Sequence, residues 1–115
     1  MDIDQLYTVE DHEKGAEMQV HDQNGKPLDM YLTIAGMDSK AWRQAFNKNK
    51  RKMIEGEDIK ADILSEVTIG WRGFTSKGKE LEFSKKKAKN LYSQAPYIAD
   101  QVDRFIADRS NFTKG

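Results

Sequence analysis

The stretch 16–35 limits the fold more than any other part of the chain. Met18 and Val20 alternate with Glu17, Gln19 and His21, and Leu28, Met30, Leu32 and Ile34 alternate with Asp29, Tyr31 and Thr33. A period of two sends one set of side chains to a buried face and the other to water, the signature of half-buried strands. Between the two runs lies Asp22-Gln23-Asn24-Gly25-Lys26-Pro27. Asn-Gly is a strong short-range hairpin signal because both residues tolerate positive φ. The segment predicts a β-hairpin, which is marginal alone in water and must pack on helices or on another chain's strand.

The remaining apolar residues follow helical periods. Asp38 or Ser39 is placed to cap a helix that carries Trp42, Ala45, Phe46, Met53 and Ile54 on one face and ends at Glu55-Gly56. A second helix is expected from about Asp58, with Ile59, Ile63, Val67 and Trp71 recurring every four residues and Gly70 and Gly73 marking its end. Leu81 and Phe83 suggest a short extended piece leading into Ser84, the cap of a third helix bearing Ala88, Leu91 and Tyr92. Pro96 suits the first turn of a fourth helix, where its missing N–H costs little; that helix buries Ile98, Val102, Phe105 and Ile106. The reading is a mainly α, α+β fold: an acidic and mostly irregular N-terminal arm (1–15), a hairpin (16–35), about four short helices (38–109) and a polar tail (110–115).

A chain of 115 residues fits one compact domain, as domains of roughly 100–150 residues are commonest. Hydrophobic residues make up only 37% of it, so the core must be thin. With no Cys, disulfides, thiol nucleophiles and Cys-based zinc sites are excluded. No apolar run approaches the ~18–20 residues of a membrane helix. The acidic start Met1-Asp2-Ile3-Asp4 does not read as a secretory signal, and the expectation is a cytoplasmic protein.

Catalytic chemistry has little to stand on. His12 lies in the acidic arm and His21 beside the turn, with no partner histidine at helical spacing, so both are expected to be ordinary surface residues and no metal site is assigned. Nucleophile-elbow and P-loop frames are absent. The Asp22-Asn24-Gly25 fragment fails as a calcium loop because Pro27 follows at once and no Glu closes the ligand set. No catalytic, cofactor-binding or metal-binding residue is proposed, and the expectation is a protein that is not an enzyme.

Binding is the better prospect. Lys48-Asn49-Lys50-Arg51-Lys52 and Lys85-Lys86-Lys87-Ala88-Lys89 form two basic clusters. Each could contact phosphates or could simply be a solvated helix face. Nineteen basic residues balance nineteen acidic ones, which argues against a dominant nucleic-acid binder. Opposite local patches instead suit steering of a protein partner, with Lys48, Lys50, Arg51 and Lys52 as candidates. Most aromatics sit at helical spacing and belong to the core. Phe74 and Phe112 follow the expected helices and are the candidates for exposed partner anchors.

Several segments, taken in order, resemble one family. Gly36-Met37-Asp38-Ser39 opens a helix with Trp42-Arg43; Ile69-Gly70-Trp71 precedes a glycine-containing loop and Leu81-Glu82-Phe83-Ser84; and Asn90-Leu91-Tyr92, Pro96, Ile98 and Gln101-Val102 lead to Phe105-Ile106-Ala107-Asp108-Arg109-Ser110-Asn111-Phe112. The set is similar to the small tail assembly chaperones of long-tailed bacteriophages and their prophages, from about the hairpin to Phe112. The resemblance implies a largely helical accessory protein without catalytic residues or cofactors. Its partners would be the tape measure protein, which it keeps soluble, and the tail tube subunits it helps recruit. It implies action in the host cytoplasm and absence from the mature virion, with a possible homo-oligomer and a frameshifted longer form in many members. Two other readings stay open: a structural tail component joined through hairpin edges, and a nucleic-acid-binding module using the basic clusters.

Overall fold

The computed structural model describes residues 1–113. A short 3-10 turn (Ile3–Leu6) and α1 (Val9–Lys14) precede the hairpin strands β1 (Ala16–His21) and β2 (Pro27–Ile34). Then come α2 (Lys40–Ile54), α3 (Lys60–Val67), β3 (Thr68–Arg72), a two-residue-per-strand ribbon of β4 (Thr75–Ser76) and β5 (Lys79–Glu80), α4 (Lys85–Gln94) and α5 (Pro96–Ala107). A second 3-10 turn, Arg109–Phe112, follows. About half the chain is helical, and the fold is α+β.

The expected hairpin forms, with Met18 opposite Leu32 and Ala16 opposite Ile34. Its turn differs from a two-residue Asn-Gly turn. Gly25 N–H donates to the Asp22 carbonyl (3.0 Å) and Asp22 N–H to the Lys26 carbonyl (2.9 Å), while the Asp22 carboxylate accepts from the Asn24 and Lys26 N–H groups. Only Gly25 takes positive φ (+82°), so the loop is longer and closes with a glycine in the left-handed region.

The main correction is the third strand. The helix expected to run through Trp71 stops at Val67, and residues 68–72 pair antiparallel with β2 in a sheet of order β1-β2-β3. The four-residue spacing of Ile59, Ile63 and Val67 is helical, but Val67, Ile69 and Trp71 also alternate. Three consecutive β-branched residues, Val67-Thr68-Ile69, and then Gly70 weaken the helix and favour the pleated pairing that β2 offers. The pairing steps from Ile34–Thr68 to Thr33–Gly70, leaving Ile69 as an exposed bulge.

Met18, Val20, Leu32 and Ile34 line the inner face of the sheet and are buried with Leu64, Val67, Val102 and Ile106. The outer face carries one polar cluster: Arg72 lies 3.9 Å from the centre of the Tyr31 ring and donates two 2.8 Å bonds to the Glu17 carboxylate. The hydrogen bond from Arg72 holds the Glu17 carboxyl below its ordinary range. Helices α3, α4 and α5 form the second layer, and α2 packs on α3.

The expected caps form at Ser39 and Ser84, whose hydroxyls accept from Trp42 N–H and Lys87 N–H, and Pro96 opens α5. Two faces shift. Met53 and Ile54 are exposed rather than part of the buried side of α2, which is set by Ala45 and by Asn49, whose amide donates to the Ala45 carbonyl. The arm is not mostly irregular, since it holds α1. Phe112, the one apolar residue of the tail, is buried in its 3-10 turn; Lys114 and Gly115 lie outside the described residues.

Among the described residues no helix is long and apolar enough to cross a membrane.

Candidate functional site

The two ends of α5 meet different surroundings. At its C-terminal end, His12 of α1 is fully buried, which overturns its expected place on the surface. Its ring stacks on Phe112 at 5.0 Å, and Phe105 meets Phe112 edge-on at 5.4 Å. His12 Nδ1 accepts from Asp38 N–H (3.1 Å), so the ring proton belongs on Nε2, 3.4 Å from the Asp38 carboxylate. Arg109 donates to the same carboxylate at 3.0 and 3.2 Å, and this hydrogen bond holds the Asp38 carboxyl below its usual range. Gly36 donates to the His12 carbonyl, and a Cβ on Gly36 would stand 2.0 Å from His12 Nδ1. The glycine is required there by close approach. This cluster clasps α1 to the body of the protein.

At the other end of α5 the surface stays open. A groove of ≈ 890 Å³ lies between the start of β2, the β4–β5 ribbon, α4 and the first turn of α5. Leu28 and Met30 of β2 form one wall, with Trp71 and Phe74 beside them, and Leu91 and Ile98 form the other. Trp71 stacks on Phe74 (4.5 Å) and meets Phe83 edge-on (5.3 Å), and its indole N–H donates to the Leu81 carbonyl at 2.8 Å. That bond, with Leu81 N–H to the Phe74 carbonyl, ties down the base of the ribbon. The rim is polar: Asn90 and Gln94 are exposed on α4, Lys86 and Lys87 stand at its N-terminal end, and among the described residues no acidic side chain lines the groove. Such a site can bury the apolar face of a chain segment and attract negative charge on its flanks.

Beside it runs a charged face. The clusters 48–52 and 85–89, distant in sequence, flank α3 on either side. Across that seam Lys48 pairs with Glu66 (3.2 Å), Lys52 with Asp62 (3.6 Å) and Lys89 with Asp62 (2.6 Å). Lys85 instead donates to the Glu66 and Thr68 carbonyls at the end of α3, and desolvation there lowers the pKa of its ammonium. Arg51 pairs with Glu55 one turn on, and Lys50 is exposed without an ion-pair partner among the described residues. Beneath the face, the Tyr92 hydroxyl lies 2.7 Å from Thr68 Oγ1, which donates to the Leu64 carbonyl, so the tyrosine is the donor. Burial pushes Tyr92 up to about 12.

The candidates named from sequence therefore separate. Lys48, Lys50, Arg51 and Lys52 lie on the outer surface of α2, three of them held in ion pairs. Phe74 and Phe112, expected as exposed anchors, are both buried, at 6% and 4% relative exposure. Phe74 supports the groove from within, and Phe112 locks the clasp. Sequence reasoning missed the groove walls. Leu28 and Met30 did stand in the alternating pattern, but at its outer end, where they are only half-buried. Among the described residues no group of three or more His, Asp or Glu is placed to hold a metal ion.

Comparisons with protein-family models, curated proteins and solved structures find no match to this chain.

Proposed function

We propose that the protein is a non-enzymatic tail assembly chaperone of a long-tailed phage or prophage. It holds an apolar, helix-forming segment of the tape measure protein in the groove between β2, α4 and α5 and releases it as tail tube subunits arrive. The observation that carries this reading is the groove itself: apolar walls of Leu28, Met30, Leu91 and Ile98 with a cationic and amide rim. A long, apolar-striped chain aggregates unless its stripe is covered, and a helix laid in an apolar groove is covered by that geometry. The ordered motifs that carry the family resemblance support the same reading. In the fold they become structural parts of this region: Gly70-Trp71 in β3, Phe83 against Trp71, Ser84 capping α4, and Pro96 opening α5. The chaperone acts in the host cytoplasm and leaves before the virion matures.

The test is co-expression with the tape measure protein encoded beside it. The expected result is a several-fold rise in soluble tape measure protein that co-purifies with this chain, reduced by Leu91→Glu at the groove wall. Unchanged solubility with no co-purification overturns the proposal.

Incorporation into the tail through hairpin edges finds less support. β2 is central, and at the β1 edge Gln101 of α5 bonds both the N–H (2.9 Å) and the carbonyl (2.7 Å) of His21, occupying the positions of a further strand. Nucleic-acid binding finds less support as well, because α3 carboxylates neutralise much of the basic face.

A further inference from the structure

The arm presents its apolar side chains to water. Ile3, Leu6 and Tyr7 are 63, 64 and 65% exposed and Val9 is 50% exposed, and Ile3 and Leu6 stand one 3-10 turn apart on the same side of the segment. They are not among the side chains packed against the core, and residues 4–11 line an open hollow of ≈ 940 Å³ with Thr113. Asp2 and Asp4 give the same segment negative charge, with Glu10, Asp11 and Glu13 continuing it into α1. A short, acidic segment with exposed apolar side chains matches the groove in both respects, since the groove has apolar walls and Lys86 and Lys87 at its rim with no acid among its described lining residues.

With Thr8 held, Leu6 and Tyr7 cannot enter the groove of their own chain. His12 and Gly36 fix it beyond the Ile34 end of β2, whereas the groove begins at Leu28 and Met30. Leu28 and Ile34 are six steps apart along the strand, about 20 Å at ~3.3 Å per residue. Thr8 is held by the first bond of α1, His12 N–H to the Thr8 carbonyl. Tyr7 and Leu6 are one and two residues from that anchor and reach at most about 3.5 and 7 Å beyond it.

We propose that the arm, residues 2–9, docks in the groove of a second copy of this chain. The contact is heterologous: arm and groove lie at opposite ends of α5, so successive copies join head to tail rather than as a closed pair. Acidic residues of the arm meet Lys86 and Lys87, and Ile3, Leu6 and Tyr7 cover Leu28, Met30 and Leu91. The arm then shields the groove until a client displaces it. The inference rests on the groove being a docking surface, and it does not depend on which client the groove serves.

Sedimentation of the full chain from low micromolar to near-millimolar concentration tests it. The mass should climb past a dimer and fall back in high salt, where charge attraction is screened. Two variants change exposed side chains only: Leu6→Asp with Tyr7→Asp in the arm, and Lys86→Glu with Asn90→Asp at the groove. Each alone should stay monomeric with an unchanged circular dichroism spectrum. Mixed, they should form a 1:1 dimer and stop there, because one intact arm meets one intact groove. A native chain that stays monomeric throughout, an arm variant that still associates, or a mixture that remains monomeric overturns the proposal. Tape measure protein held by the arm variant, measured separately, shows that the chaperone reading survives such a failure.

Discussion

The two ends of α5 use similar side chains to opposite effect. At the clasp, His12, Phe105 and Phe112 close on one another, and the Asp38–Arg109 pair seals the outside. At the groove, Trp71, Phe74 and Phe83 also close on one another, but the apolar side chains in front of them, Leu28, Met30 and Leu91, are left half-covered. Aromatic clusters stabilise both regions, and at the groove the side chains in front of the cluster stay half-covered. The difference lies in cover: His12 of α1 closes over Phe112 and Gly36 at one end, and among the described residues nothing plays that part over Leu28, Met30 and Leu91 at the other. A cut at the clasp should therefore cost stability, while a cut at the groove surface should cost binding.

The largest expected effect is at the clasp. Phe112→Ala removes the ring that packs on both His12 and Phe105 and should destabilise by about 3 kcal/mol in urea unfolding. Gly36→Ala should cost about 2 kcal/mol as the His12 ring is driven from its place. If either variant unfolds like the native chain, the clasp does not hold the arm.

The next effect lies in the core under the charged face. Tyr92 is held neutral in the folded protein to about pH 12, whereas an unfolded tyrosine ionises near 10. Above pH 10 the unfolded state binds fewer protons than the folded one, so stability falls as pH rises. The loss should reach about 2–3 kcal/mol by pH 12. Melting temperatures from pH 9 to 12 should fall more steeply for the native chain than for Tyr92→Phe; parallel curves would contradict the buried donor.

Groove substitutions come lower. Leu91→Ala should cost about 1 kcal/mol, because the side chain is only half-buried and water can replace its lost contacts. A loss as large as that of Phe112→Ala would mean that the groove wall is core and not a surface. Smallest of all is the ion pair outside the clasp. Asp38→Asn should cost about 0.5 kcal/mol or less at neutral pH. Since the Asp38 carboxyl is lowered by Arg109, its contribution is present above the ordinary carboxylate range and is lost as pH falls through the lowered value. The native chain and the variant should thus converge in acid melts.

Much of the fold was legible because local signals agreed with tertiary ones. Ser39, Ser84 and Pro96 act within one helical turn, and Met18 to Ile34 carry their own alternation. What was not legible depended on contacts distant in sequence. Residues 68–72 satisfy a helical spacing and an alternating one equally, and only the free edge of β2 decides between them. His12 stands among acidic residues in sequence, yet Gly36 and Phe112 enclose it. Phe74 and Phe112 follow the expected helices and so looked free, but the β4–β5 ribbon and the C-terminal 3-10 turn fold each of them inward. The groove was hidden for the same reason: its walls come from β2, β3, α4 and α5, and no one segment shows that their junction is left uncovered.

The central proposal is that this uncovered junction receives the client, and Trp71 in its wall can report on it directly. In a Trp42→Phe background, Trp71 is the sole tryptophan. Titration with an apolar helical segment of the tape measure protein should shift its emission saturably, and Leu91→Glu should remove the shift while the protein stays folded. Binding of that segment with Trp71 emission unchanged, or binding untouched by Leu91→Glu, would contradict the account.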